Sequence, residues 1–275
     1  MTIVVTGATG TVGRGIVNEL VGAGHQVRAV TRDPQRASFP AGVEVVRGDL
    51  AEPESLKGVF DDAEALHLIT FAGTGFGPAP LAHGEEIVDM AVNAGVKRIT
   101  VLRGIDSEPV EAAVRASGVA WTVLVPVEFM SNALNWAAPI KATGSVREPF
   151  ADRLSAMVHE ADIAAVAAVA LAEHGHGGQT YVITGPEVLT LSDKLAAISA
   201  AIGREVELVA LTEEQARAEW AQAGLPPHVI EFLVDVLGNT PEIGRTVAST
   251  VEDVTGRPGR TFAQWAREHA HAFRS

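Results

Sequence analysis

Cysteine is absent from all 275 residues, which removes disulfides, thiolate nucleophiles and sulfur-ligated metals together. Tyrosine occurs once, and aromatic residues make up 5% of the chain. No apolar run approaches the roughly 20 residues that a membrane span requires. The N-terminus reads as a strand without a basic flank, so the expectation is a cytoplasmic protein with no secretory signal and no membrane partner. Positive charge is also short. Lys and Arg number 21 against 34 Asp and Glu, a net charge of −13, and nucleic-acid binding needs clustered cations instead. Internal repeats, low-complexity tails and long linkers are missing as well. What remains is a chain 47% hydrophobic and 20% charged, with ample material for a core. Its length fits one large α/β domain, or a core domain with a smaller lobe. A monomer or a homodimer is expected.

The most informative stretch is Thr2-Ile3-Val4-Val5-Thr6-Gly7-Ala8-Thr9-Gly10-Thr11-Val12-Gly13. It is a short β-branched run ending in a glycine-punctuated turn, and a segment of helical periodicity follows. Gly7 permits the sharp turn, Gly10 lets main chain approach a pyrophosphate, and Gly13 lets helix and strand pack closely. The first-turn N–H groups and the positive end of the helix dipole then face the anion. Gly7, Thr9, Gly10, Thr11, Val12 and Gly13 are therefore the expected phosphate-binding residues of a dinucleotide site.

Further strands are expected over residues 26–30, 43–46, 65–70, 98–102 and 121–125, with helices beginning at 53 and covering 85–94 and about 109–117. Strands alternating with helices of this length imply a Rossmann-type, doubly wound parallel sheet with helices on both faces. Beyond Pro126 the alternation loosens. An alanine-valine helix over 161–172, with Asp162 or a neighbour as its cap, precedes a strand over 180–184. Then come a helix over 191–202 with Ser192 near its start, a strand over 205–210, a helix N-terminus at Thr212, and helices over 226–237 and 261–273. The expected organisation is a dinucleotide-binding core over 1–130 and a smaller C-terminal α/β substrate lobe over 131–275, with a core strand and helix returning near 155–184.

Several segments together resemble the NmrA-like atypical short-chain dehydrogenase/reductases. They are Val5 to Gly13, Arg47-Gly48-Asp49-Leu50, Ala94-Gly95-Val96-Lys97-Arg98, Ser117-Gly118-Val119-Ala120-Trp121-Thr122, Pro126-Val127-Glu128-Phe129-Met130-Ser131-Asn132, Thr184-Gly185-Pro186-Glu187 and Thr255-Gly256-Arg257-Pro258-Gly259-Arg260-Thr261-Phe262. That family includes NAD(P)H-dependent quinone and triarylmethane-dye reductases, and regulators that bind a dinucleotide without turning it over. The resemblance implies that Asp49 and Leu50 flank the adenine and that Thr70 and Phe71 line the ribose-nicotinamide side. It also implies that the loop of Pro126, Val127 and Phe129 touches the carboxamide.

The conventional short-chain dehydrogenase uses a tyrosine general acid with a lysine four residues later. Here the single tyrosine, Tyr181, falls in a late strand with no such lysine. The matching helix positions hold Ser107 and Glu111, and the small-polar pair upstream is replaced by Arg103-Gly104. Arg103, Ser107 and Glu111 are the catalytic candidates. Arg103 would stabilise a developing oxyanion, or instead pair with the cofactor phosphates or with Glu111. Glu111 would relay a proton or be an ordinary exposed helix carboxylate. His67 reads as packed core, and His174 with His176 as surface, so no metal is expected.

At the end of the second strand, Arg32 precedes Asp33. An arginine there suits a 2′-phosphate and an acidic residue suits a ribose hydroxyl; the order tips the reading towards NADP(H) over NAD(H). Alternatively, Arg32 stacks on adenine and Asp33 caps the turn. Phe71, Phe76, Phe129, Met130, Asn132, Trp136 and Phe150 are candidates for gripping a flat apolar substrate, with core packing as the other reading. The expected activity is NAD(P)H-dependent reduction of a quinone or conjugated aromatic carbonyl. A polyketide-derived aromatic of secondary metabolism is one such substrate, and reduction would also assist its oxygenation. A non-catalytic NAD(P)-binding redox sensor is the alternative.

Overall fold

A computed structural model describes residues 1–72, 79–104 and 106–274. Contacts divide the chain into two compact units. One comprises Met1–Pro126, Glu160–Ile183 and Asp253–Gly256, and the other Val127–His159, Thr184–Glu252 and Arg257–Ser275.

The first unit is built on seven parallel strands. They are β1 (Thr2–Val5), β2 (Gln26–Thr31), β3 (Glu44–Arg47), β4 (Ala63–Ile69), β5 (Arg98–Leu102), β6 (Ala120–Pro126) and β7 (Gln179–Ile183). Their spatial order is β7-β6-β5-β4-β1-β2-β3. Val5 is in register with Ala29 on one side and His67 on the other. The order therefore reverses around β1, which is where such sheets open a ligand crevice beyond the strands' carboxyl ends. The buried runs of β1 and β4 are apolar, His67 excepted, because parallel strands are covered on both faces.

Among the described residues this unit also carries the helices α1 (Thr11–Gly22), α2 (Gly84–Asn93), α3 (Glu108–Ala116) and α4 (Glu160–Ala172). Helix α4 packs on α1. A Cβ built on Gly15 of α1 would sit 2.7 Å from the Ala164 methyl, so the alanine-rich composition of α4 permits a close helix crossing. Burial on nearly every side of α4 explains why no polar face is visible in its sequence. The helix begins at Glu160, and Asp162 lies buried in its first turn.

The segment expected to form a helix from residue 53 makes only a short 3₁₀ turn, Pro53–Leu56. Gly58 follows in the left-handed region at φ +77°, a conformation that ends helical propagation.

The second unit contains the 3₁₀ stretch Met130–Trp136, the helices Ala137–Thr143, Leu191–Ile202, Glu213–Gln222 and Pro227–Gly238, and the strand Ser145–Pro149 paired in parallel with Glu207–Leu211. The expected helix over 261–273 is two, Phe262–Glu268 and Ala270–Phe273, broken at His269. Ser192 lies in the first turn of the helix Leu191–Ile202, as expected, and Thr190 caps it through a reciprocal bond with Asp193; Thr212 with Gln215 does the same for the next. The core gathers Trp136, Ile140, Leu191, Leu195, Ile198, Phe262 and Trp265 among others. Among the described residues no helix is long and apolar enough to cross a membrane.

Candidate cofactor and active site

The turn after β1 is held from both sides. The Thr6 amide and hydroxyl both donate to the His67 carbonyl, at 3.0 and 2.9 Å. Gly7 adopts φ +59°, and a Cβ there would lie 2.9 Å from Ile69 Cδ1. Gly13 is more constrained still, because its Cβ would meet the Gly7 carbonyl oxygen at 2.2 Å. Gly10 differs. Its Cβ would lie 3.1 Å from the Gly7 oxygen, a tight contact but a milder one than at Gly13. Gly10 is the N-cap of α1 and supplies no side-chain bond, and Thr9, Gly10 and Thr11 are exposed while Val12 is buried. An uncapped helix start with a bare glycine before it suits a pyrophosphate. The residues present fit a dinucleotide.

The other expected cofactor residues of this unit also sit at carboxyl ends of strands. Thr70 is buried, donates to the Leu102 carbonyl at 3.1 Å and accepts from the Gly104 amide at 2.9 Å, tying the ends of β4 and β5 together. A Cβ on Gly104 would lie 3.0 Å from Phe71 Cδ1, so glycine at that position makes room for the Phe71 ring. Asp33 accepts from the Gln35 amide at 3.2 Å and caps the turn after β2, whereas Arg32 is exposed. Asp49 is half-buried and Leu50 is core. Pro126 ends β6.

Arg103, Ser107 and Glu111 come together. Arg103 makes a two-pronged bond to the Glu111 carboxylate, Nε to Oε1 at 2.7 Å and Nη2 to Oε2 at 2.6 Å, and Ser107 Oγ donates to Oε1 at 2.9 Å. Glu111 is 6% exposed, which corrects the reading of an exposed helix carboxylate. Burial pushes its carboxyl up, but hydrogen bonds from Arg103 and Ser107, with the charges of Arg103 and Arg115, outweigh this and hold it below the usual carboxylate range. Glu111 is thus ionised at neutral pH and cannot donate a proton. The same hydrogen bond raises Arg103 above its ordinary value. Its side chain remains 40% exposed, positioned by its partner and still reachable.

Tyr181 bonds through its hydroxyl to His176 Nδ1 at 2.8 Å, and burial raises its pKa. His67 is fully buried beside Thr100, and burial lowers it to about 3. Among the described residues no group of three or more His, Asp or Glu could hold a metal ion.

In the second unit, Met130 and Trp136 are 1% and 6% exposed within its apolar core. Their side chains are spent on packing, which corrects their candidacy as substrate contacts. Val127 and Phe129 are half-buried and Asn132 is exposed. Phe150 is half-buried with φ +52°. Phe76 lies outside the described residues.

A cluster in this unit escaped the sequence reading. Lys194 is 0% exposed and donates to Ser155 Oγ at 2.6 Å, and Ser155 donates to Glu128 Oε2 at 2.7 Å. Arg153 lies 3.6 Å from both Glu128 and Glu148, and the Trp136 indole donates to Glu148 at 2.7 Å. Burial lowers Lys194 to about 8, against the opposing charge of Glu128. The signal was available: Leu191, Lys194, Leu195 and Ile198 form the buried face of one helix, and a lysine in that register needs buried partners.

Residues 1–101 match the NmrA-like family. The chain is 36% identical, over 98% of its length and 99% of the relative's, to a (4-alkanoyl-5-oxo-2,5-dihydrofuran-3-yl)methyl phosphate reductase from Streptomyces griseus. The chain belongs to the NmrA-like family. An NAD(P)H azoreductase from Xenophilus azovorans is 34% identical, over 98% of this chain and 99% of its own. Among solved NmrA-like folds, the NADPH-dependent quinone oxidoreductase of Escherichia coli, complexed with NADPH, superposes with a TM-score of 0.83 at 26% identity, covering 97% of this chain and 99% of that one.

Proposed function

We propose that this chain is an NAD(P)H-dependent oxidoreductase that reduces a small conjugated acceptor, a quinone or a related aromatic or unsaturated carbonyl compound. The uncapped turn at Gly10, closed behind by Gly13 and left open in front, carries the cofactor half of this reading. Relatives at 36% and 34% identity bear reductase names, one for a dihydrofuranone phosphate and one for azo compounds, and they support the acceptor class. Activity on a polyketide-derived acceptor fits the same chemistry.

The bound dinucleotide would supply a hydride, held by Gly7, Thr9, Gly10, Thr11, Val12 and Gly13 at its phosphates. Thr70, Phe71, Pro126, Val127 and Phe129 would contact it further along, and Asp49 and Leu50 would flank its adenine. Arg32, exposed at the end of β2 while Asp33 is occupied by its own turn, favours NADP(H) through its 2′-phosphate. Negative charge develops on the acceptor oxygen as it is reduced, and Arg103, bonded to Glu111 and still 40% exposed, would stabilise it. Glu111 and Ser107 hold Arg103 in position. A delocalised product anion needs no strong acid, so water suffices as proton source, and alignment supplies the rate.

The test is direct. Purified protein with NADPH or NADH and a panel of simple quinones should consume nicotinamide absorbance at 340 nm in proportion to enzyme. Tight dinucleotide binding without turnover on any acceptor would favour a sensor instead.

A further inference from the structure

A second arginine reaches the Glu111 carboxylate. Arg115 lies one turn further along α3, and its Nη2 stands 3.6 Å from Glu111 Oε2, the oxygen that also accepts from Arg103 Nη2 at 2.6 Å. Glutamate with arginine four residues later is a stabilising spacing on a helix, but Arg115 is held by more than its own helix. Its guanidinium carbon sits 4.0 Å from the centroid of the Trp121 ring, in β6. Its Nη2 also donates to Thr180 Oγ1 at 3.2 Å, in β7 at the edge of the sheet. We propose that Arg115 is a positioning residue of the reductase site: fixed on Trp121 and Thr180, it holds the Glu111 carboxylate and, through it, the guanidinium of Arg103. The link to turnover rests on the role given to Arg103 in the reductase reading, whereas the anchoring of Glu111 does not.

The sheet sets up this arrangement. Trp121, Val123 and Val125 alternate along β6 and pack with Val110 and Val114 of α3 in one core, so the indole shares the face that α3 covers. Thr180 is in register with Val123, which puts its hydroxyl on the same face. A guanidinium is planar, so it can lie flat on an aromatic ring while its N–H groups point outward in their own plane. One side chain can then stack on Trp121, donate to Thr180 and face Glu111 together. A lysine ammonium has no such plane.

The charges require a third member as well. Glu111 accepts two hydrogen bonds from Arg103 and one from Ser107, and a carboxylate bound so closely offsets the charge of Arg103. A second cation beside Oε2 shares the carboxylate and leaves Arg103 more of its own charge for a developing oxyanion. Arg103 and Arg115 are the charges that act on Glu111, and Glu108, exposed in the first turn of α3, acts on Arg103. The Arg115 side chain is 39% exposed, so solvent screens its share and the effect on rate is modest.

The experiment compares wild type, Arg115→Met, Glu111→Gln and the double variant in NADPH turnover with a simple quinone. It also follows the Glu111 carboxyl carbon by ¹³C NMR from acid to neutral pH, with Glu111→Gln assigning the signal. Arg115→Met should lower kcat about two- to fivefold, the size expected of a half-exposed ion pair, with KM for NADPH unmoved. In the Glu111→Gln background the same change should cost nothing further, because no carboxylate is left to hold. The Arg115 cation favours the ionised form of Glu111, so its removal should make that carboxyl titrate at higher pH. Losses that multiply in the double variant, a kcat unmoved by Arg115→Met, or a Glu111 titration identical in Arg115→Met and wild type would overturn the proposal. If none of the four proteins reduces any acceptor, the reductase reading fails, and the carboxyl titration still decides whether Arg115 governs Glu111.

Discussion

Acid should loosen the dinucleotide turn through His67, and the size of the effect follows from burial. His67 is fully buried in β4, and its Nε2 has no hydrogen-bond partner. Protonation would place a charge and an unmet N–H there, which is why burial lowers its pKa from 6.5 to about 3. The folded value lies below the unfolded one, so between them the unfolded chain binds more protons and stability falls as pH falls. The loss begins near the ordinary value of 6.5 and ends near 3. Each pH unit within that window costs about 1.36 kcal/mol. From pH 7 to pH 5 the first unit should lose about 2 kcal/mol from this residue alone. The His67 carbonyl anchors Thr6, so the same opening should release bound NADPH. Urea unfolding followed by ¹⁹F NMR of fluorotryptophan at Trp121 reports on this unit. The measured quantity is the difference between wild type and His67→Leu, which cancels the titration of carboxylates. The variant should gain about 2 kcal/mol on the wild type between pH 7 and pH 5. Parallel pH curves, or a His67 ring titrating near its ordinary value, would refute the reasoning.

Gly10→Val should abolish NADPH binding while lowering thermal stability less than a side chain at Gly13 does, because its Cβ would lie 3.1 Å from the Gly7 oxygen and not 2.2 Å. Gly13→Ala should lose both, since its Cβ would press into the Gly7 carbonyl, with destabilisation of about 1–3 kcal/mol or more by differential scanning calorimetry. Arg103→Met should lower kcat about 100-fold. Glu111→Gln should lower it less, with KM for NADPH unmoved, as expected of a residue acting through Arg103. The lowered Glu111 carboxyl keeps its ion pair intact at neutral pH and loses it only as pH falls through that depressed pKa. The kcat of wild type should therefore show no ionisation from Glu111 across the neutral range. Arg32→Ala should raise KM for NADPH about tenfold or more and leave NADH unaffected, because only the former carries a 2′-phosphate.

Local patterns in the chain were legible and distant ones were not. The β1 turn could be read because strand, glycines and helix are contiguous, and the parallel sheet followed from alternation. Thr212 with Gln215 announced a helix start by spacing alone. The strand Ser145–Pro149 was invisible because its partner, Glu207–Leu211, lies far along the chain. Glu111 read as a solvated carboxylate because its burial depends on Arg103, eight positions away at the end of a different element. Met130 and Trp136 follow a strand end, which makes them read as substrate contacts as easily as core, and packing claims them.

The most direct measurement is calorimetric titration of the purified chain with NADPH and NADH. Saturable binding of at least one coenzyme, lost in a Gly10→Val protein that still unfolds cooperatively, is the predicted result. No binding of either, or equal binding by the variant, would show that the corner after β1 holds no dinucleotide.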